Sequence, residues 1–343
     1  MKEVKKRIVW VDIAKAFTIL SVPFAHTIPI EWTIRTMIFS FHMPLFFILS
    51  GFTTKLATNW SELLKRLKKN FIYLILPTLA VLAIFTITDA IKQGGIYLFP
   101  EKIVYWLREF LLDPYPEGLY TAGAVWFLVA LFWAKLIMDF INVVFKTEKN
   151  GIIFFILGIA GVFMGVYNLR PPAFFDLGLV GAFFMYLGTL WKKHEKIIEK
   201  YALLISLVAG VYWFSHTMRG DFMELWLRFY GGYEVSFLVA IAGTFLVSRL
   251  AILVEESSRK SGKIIKTLKD ALVVLGKNTF LLYLVHSLDW CLFEKLWNFC
   301  DGSNKMLALS LLARFAVDFA GFFILLGLKK LFARKSISLL KKS

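Results

Sequence analysis

RIVWVDIAKAFTILSVPFAH, residues 7–26, reads as a membrane-spanning helix that carries charge. A helix needs about 20 apolar residues to cross a hydrocarbon core of about 30 Å. This stretch has that length, yet it includes Asp12, Lys15 and His26. Their spacing is informative. Lys15 and His26 are eleven residues apart, which on an α-helix is about 20° from eclipse and roughly 16 Å of rise. Asp12 falls within about 60° of Lys15 on the same side, and Ile19 and Val22 fill the stripe between. One helix face thus offers an ion pair near one membrane surface and an imidazole toward the other.

The rest of the chain agrees with a membrane setting. It has 343 residues, 58% hydrophobic and 17% aromatic, more apolar than a soluble domain of this length. Mean hydropathy is +0.67. Apolar runs near span length recur from end to end, so the expected class is an all-α polytopic membrane protein. A barrel requires short alternating segments, and the sequence has none. The net charge of +16 is no sign of nucleic-acid binding, because the basic residues cluster between apolar runs, where topology places them. The N-terminal MKEVKKR and the run after it resemble a signal peptide, but Asp12 and Lys15 interrupt the run and no small-residue cleavage pattern follows. An uncleaved first span is expected.

Ten spans are expected, at 8–28, 34–54, 71–90, 118–145, 151–169, 177–191, 201–217, 232–250, 273–292 and 306–328. With a cytoplasmic N-terminus, 28 of the 40 basic residues fall on the inner side and nine on the outer. That asymmetry places both termini in the cytoplasm. Residues 1–343 form a single membrane-embedded domain on this reading, with no separate soluble domain. PEKIVYWLREFLLD, 100–113, has apolar residues at helical spacing beside charges and should lie in the outer interface. Cys291 and Cys300 flank one short loop, as two thiols or as a disulfide if the loop faces an oxidising space.

The polar groups within spans each carry two readings. Asp12 and Lys15 either fix a helix end as an i,i+3 pair or form an anion site, with Lys15 the point charge for phosphate and Asp12 holding it. His26 is either an interfacial side chain or a proton acceptor at neutral pH. In SFHMPLFFILSGF, 40–52, His42 is a core residue or a substrate contact, and Pro44 frees backbone groups to line a cavity. LLKRLKKNF, 63–71, sets topology or forms a basic rim for a polyanionic cofactor. His286 and His216 sit toward the outer ends of their spans. With His26 and His42 they suggest a polar chamber, but no two-histidine spacing points to a metal. Arg314 and Asp318 are four apart and are expected to pair with each other.

VDIAKAFTILSVPFAH, SFHMPLFFILSGF, GAVWFL at 123–128, FFMYLG at 183–188 and LGKNTFLLYLVH at 275–286 together, in order, resemble the acyltransferase 3 family of integral membrane proteins. They look closest to its fucose 4-O-acetylase-like branch. In that family the first span carries an acidic residue, a basic residue and an essential histidine, which match Asp12, Lys15 and His26. Lysine replaces the commoner arginine, and Tyr73 stands where the family often has an arginine one turn before Pro77.

The resemblance implies transfer of an acetyl or similar acyl group from cytoplasmic acyl-CoA to a sugar hydroxyl of an exported or lipid-linked glycan, in a bacterial inner membrane. It makes His26 the general base, with Lys15 and Asp12 in the catalytic set. Lys15, Arg66 and Lys69 would hold acetyl-CoA, and His42, Ser50, Trp126 and His286 the acceptor. The rise from Lys15 to His26 is of the order of an extended pantetheine arm, so the thioester could reach His26 while the phosphates stay near Lys15. His26 either activates the hydroxyl directly or carries the acyl group transiently. The rival is a transporter of a polar solute or lipid-linked sugar, with Asp12, Lys15 and His26 as a proton relay. Partners are the lipid bilayer, the acyl donor and a carbohydrate, not nucleic acid, and homo-oligomerisation stays open.

Overall fold

The computed structural model describes residues 7–29, 31–112, 123–145, 151–299 and 306–340. Among them the chain is helical, and one isolated bridge, Glu224 to Phe229, is the sole strand-like pairing. The helices are α1 (Val9–Thr27), α2 (Thr33–Thr53), α3 (Trp60–Asn70), α4 (Leu76–Gln93) and α5 (Phe99–Leu112). Then come α6 (Trp126–Phe145), α7 (Gly151–Val166), α8 (Phe175–Lys193), α9 (Glu195–Lys200) and α10 (Ala202–Thr217). The last are α11 (Glu234–Lys260), α12 (Lys263–Lys277), α13 (Thr279–Leu292), α14 (Glu294–Phe299) and α15 (Leu307–Leu340).

Among the described residues, seven helical stretches are long and apolar enough to cross a bilayer, or eight if α12 and α13, bent by 68° at Asn278, make one broken span. The apolar α7 and α10 are shorter, at 16 residues each. The chain is therefore a multi-pass membrane protein, and the expectation of ten spans rests on how α7, α10 and the bent pair are counted. The segment expected at the outer interface forms α5, whose Trp106 and Phe110 are buried, with Trp106 Nε1 donating to Asp89 Oδ2 at 3.1 Å. Asp113 and Cys300 lie outside the described residues. Cys291 is buried, and its thiol donates to the Leu288 carbonyl at 3.3 Å.

Contacts divide the chain into two compact units. The larger, Glu31–Leu250, is built on close helix crossings. A Cβ at Gly51 of α2 would strike the Met185 carbonyl of α8, and one at Gly188 of α8 would strike the Ile48 carbonyl of α2. Small residues here let two backbones meet, which is how helices pack where no hydrophobic drive separates them from lipid. Phe47 fills the layer beside them, edge-on to Phe127 of α6 at 5.1 Å. α3 is polar and amphipathic, started by Asn59, whose side chain accepts from the Glu62 N–H at 3.0 Å. It runs through a π turn at Phe71–Ile75 into α4. Pro77 lacks an N–H, and its ring would collide with the carbonyl of residue 73, so the widened turn lets the helix continue.

The smaller unit, Met1–Ile30 with Ala251–Ser343, holds α1, α12, α13, α14 and α15. α1 packs on α12 at a glycine: a Cβ on Gly276 would collide with the Asp12 backbone carbonyl. α13 meets α15 the same way, with Gly321 under the Val285 side chain.

Candidate active site

The smaller unit gathers the polar residues of α1, α13 and α15. Asp12 is buried, at 3% exposure. It does not rely on Lys15, as expected from their i,i+3 spacing. Instead it accepts from Arg7, Nε to Oδ2 at 2.5 Å and Nη2 to Oδ1 at 2.9 Å. The planar fork of arginine satisfies both oxygens at once, which an ammonium cannot do. Lys15 is half-buried, and among the described residues no hydrogen bond or ion pair ends on its ammonium. A partly desolvated cation without a bonded counter-charge favours an anionic partner.

His26 stands at the other end of α1, roughly 16 Å away by helix rise, and is exposed. Its ring lies 5.6 Å from that of His286 on α13, tilted by 34°. His286 is buried, with Nδ1 3.1 Å from Asp318 Oδ2 and 3.4 Å from Asp289 Oδ2. Arg314 Nη1 is 3.4 Å from Asp289 Oδ2, and its guanidinium lies over the Trp297 ring at 4.4 Å. Trp297 in turn donates Nε1–H to the Asp289 carbonyl at 3.1 Å. This corrects the expected pairing of Arg314 with Asp318, four apart on α15: Arg314 makes an ion pair with Asp289 and Asp318 meets His286, both on α13. One ligand atom each from His286, Asp289 and Asp318 lies within 4.8 Å of the others, a spacing compatible with a cation. The Arg314 guanidinium already brings a positive charge to the group.

The family of the acyltransferase domain matches residues 8–328, nearly the whole chain. The chain belongs to that family. No curated protein and no solved structure matches it significantly. The protein is accordingly a membrane acyltransferase of the O-acetyltransferase type.

In the acyltransferase, the remaining expected site residues lie in the larger unit. His42 is buried in α2, with Nδ1 3.2 Å from the Ile38 carbonyl and its ring against Phe39 at 4.9 Å. Ser50 is half-buried one residue before the Gly51 crossing. Trp126 opens α6, buried, with its ring 6.4 Å from Trp226. Arg66 is committed within the protein: its Nε donates to Asp139 Oδ2 at 2.6 Å. Asp139 Oδ1 also accepts the Ala57 N–H at 2.9 Å, and Asn142 Nδ2 donates to the Ala57 carbonyl at 2.8 Å. That bond set ties the end of α2 to α3 and α6. Lys69 is exposed on α3, 6.0 Å above the Tyr73 ring.

Three acidic residues in the acyltransferase have roles that local sequence reading missed. Asp139 ties Arg66, and a lone aspartate inside the apolar run of α6 was the available signal. Asp176, fully buried, takes both Arg228 Nε at 2.9 Å and Nη2 at 3.2 Å across 52 residues, which no local pattern announces. Asp289 was visible only as one more charge after His286.

Beyond the spans, Glu224 lies in the 218–233 loop, where burial pushes its carboxyl up to about 7 against the pull of Arg35.

Proposed function

We propose that the acyltransferase moves an acetyl or similar acyl group from cytoplasmic acyl-CoA to a sugar hydroxyl of an exported or lipid-linked glycan, in a bacterial inner membrane. The observation that supports this reading most is the pairing of two groups on one face of α1. A half-buried ammonium without a bonded counter-charge, Lys15, and an exposed imidazole, His26, are separated by a helix rise of the order of an extended pantetheine arm. Lys15 neutralises phosphate at the cytoplasmic end, while both oxygens of Asp12 are taken up by Arg7. Lys65, Lys68 and Lys69 are all exposed on α3 and form a basic face of the kind that attracts polyanions at long range. Arg66 serves α3 through Asp139 and contributes less to the donor than to the fold.

His26 takes the proton of the acceptor hydroxyl as its oxygen attacks the thioester carbon. A positioned base contributes about 10²–10⁴-fold. Trp126, His42 and Ser50 are proposed for the acceptor on the strength of the family resemblance. The test is mass spectrometry of cell-surface glycans with and without the gene, together with thermal stabilisation of the purified protein by acetyl-CoA. A lost acyl increment and a melting shift that saturates with acetyl-CoA are expected. Glycans of unchanged mass and a flat melting curve would refute the assignment.

A further inference from the structure

The buried group around His286 is not required by a base acting alone. Among the described residues, two carboxylates, Asp289 and Asp318, and one guanidinium, Arg314, gather here at exposures of 2%, 1% and 6%. Unless one more positive charge is present, a net negative charge remains buried among helices, and that is costly. Among the described residues, the charged and imidazole groups around His286 are His26 from α1, Asp318 and Arg314 from α15, and Asp289 on its own helix. A proton on His286 Nδ1 serves both carboxylates at once, because that atom lies 3.1 Å from one and 3.4 Å from the other. A divalent cation would overshoot the balance beside Arg314. Asp289 Oδ2 and Asp318 Oδ1 are each buried without a hydrogen bond, so the group retains strong acceptor character. With Nδ1 committed to the carboxylates, Nε2 is the nitrogen left for a partner outside the cluster.

We propose that His286 is a second catalytic residue of the transfer, an imidazolium held by Asp318, Asp289 and Arg314, whose Nε2–H donates to the carbonyl oxygen of the acyl thioester. This rests on the reading of His26 as base. The two rings are neighbours, with centroids 5.6 Å apart, so an acyl group seated against one also borders the other. The step balances as follows. The acceptor O–H proton passes to His26, and its oxygen bonds to the acyl carbon. Negative charge gathers on the carbonyl oxygen, where His286 stabilises it. The C–S bond then breaks, and the leaving sulfur takes the proton from His26 to give free coenzyme A thiol. His286 keeps its proton throughout. Asp318, Asp289 and Arg314 are positioning residues.

The test has two arms. In the first, ¹⁵N-histidine-labelled protein is reconstituted in nanodiscs at pH 7.5. The five histidines are assigned by replacing the other four with glutamine one at a time. His286 should show both ring nitrogens protonated in the wild type and lose that signature in Asp318→Asn. In the second, thiol release from acetyl-CoA is followed in membranes of the host. His286→Gln should lower kcat about 100-fold, within the range for loss of one oxyanion donor. The KM for acetyl-CoA should stay within threefold. Asp318→Asn should lower kcat at least tenfold, with partial recovery in Asp318→Glu.

A neutral His286 in the wild type would overturn the proposal whatever the variants do. So would near-wild-type turnover in His286→Gln, or a stoichiometric metal whose chelation abolishes turnover. If His26→Ala is inactive in the same membranes while any of these holds, the base reading stands and this inference alone fails. If His26→Ala is fully active, the base reading itself fails.

Discussion

Arg7 closes on Asp12 across five residues, placing a forked guanidinium over the buried carboxylate at the start of α1. The pair lies one turn ahead of Lys15, with both carboxylate oxygens bonded to the guanidinium and not to the ammonium. Arg7→Ala should therefore raise the KM for acetyl-CoA about three- to tenfold, because Asp12 would turn to Lys15. It should also cost about 1 kcal/mol of stability, a small figure because the Arg7 side chain is 56% exposed and screened. Kinetics on the variant decides the point, and an unaltered KM would remove Arg7 from the account.

Gly276 tests the seat of the same helix. Any Cβ there meets the Asp12 carbonyl, so Gly276→Ala should overpack the α1–α12 contact and cost about 1–3 kcal/mol. Gly210 of α10 has open space around it, and Gly210→Ala should be neutral or stabilising through helix propensity alone. Thermal unfolding of the two proteins in the same detergent compares them. Equal melting temperatures would mean that α1 and α12 can separate freely.

Asp139 holds three elements with one carboxylate. Asp139→Ala strands the Ala57 N–H and the Arg66 guanidinium together, and breaking such a buried pair costs about 3 kcal/mol or more. Arg66→Gln should likewise lower the melting temperature while leaving the acetyl-CoA KM within twofold. Arg66→Gln protein of unchanged stability but much weaker donor affinity would return Arg66 to the cofactor.

Glu224 gives the protein a pH dependence with a definite sign. Its folded carboxyl titrates near 7, above the ordinary value of 4.5, because of burial. The folded state then holds a proton that the unfolded chain has released. Stability from this group is full below about 4.5 and declines as pH rises through about 7. Melting temperature should fall between pH 5 and 7.5, and Glu224→Gln should flatten that interval. A slope that persists in the variant would assign it to another group.

The helices and the α1 motif were legible because they depend on local chemistry. A run such as residues 7–26 declares a span by length and hydropathy, and Lys15 and His26 declare a shared face by helical period. The partners of the charged groups were not legible. Spacing of three or four suggested Asp12 with Lys15 and Arg314 with Asp318. In the fold, Asp12 instead takes the arginine just before the helix, and Asp318 takes a histidine 32 residues upstream. Helical spacing says which side chains are able to meet, whereas packing of α13 on α15 decides which do. Asp176 with Arg228 is the same case at greater range. The bend between α12 and α13 falls inside the span expected at 273–292, because Asn278 carries no signal as strong as a proline.

The most direct measurement is the acyl content of the surface glycan in cells carrying His26→Ala, checked for folding by an unchanged melting temperature and a retained response to acetyl-CoA. The account predicts that the acyl increment disappears, with transfer slowed about 10²–10⁴-fold. A folded His26→Ala protein that acylates the glycan as fully as the wild type would contradict it.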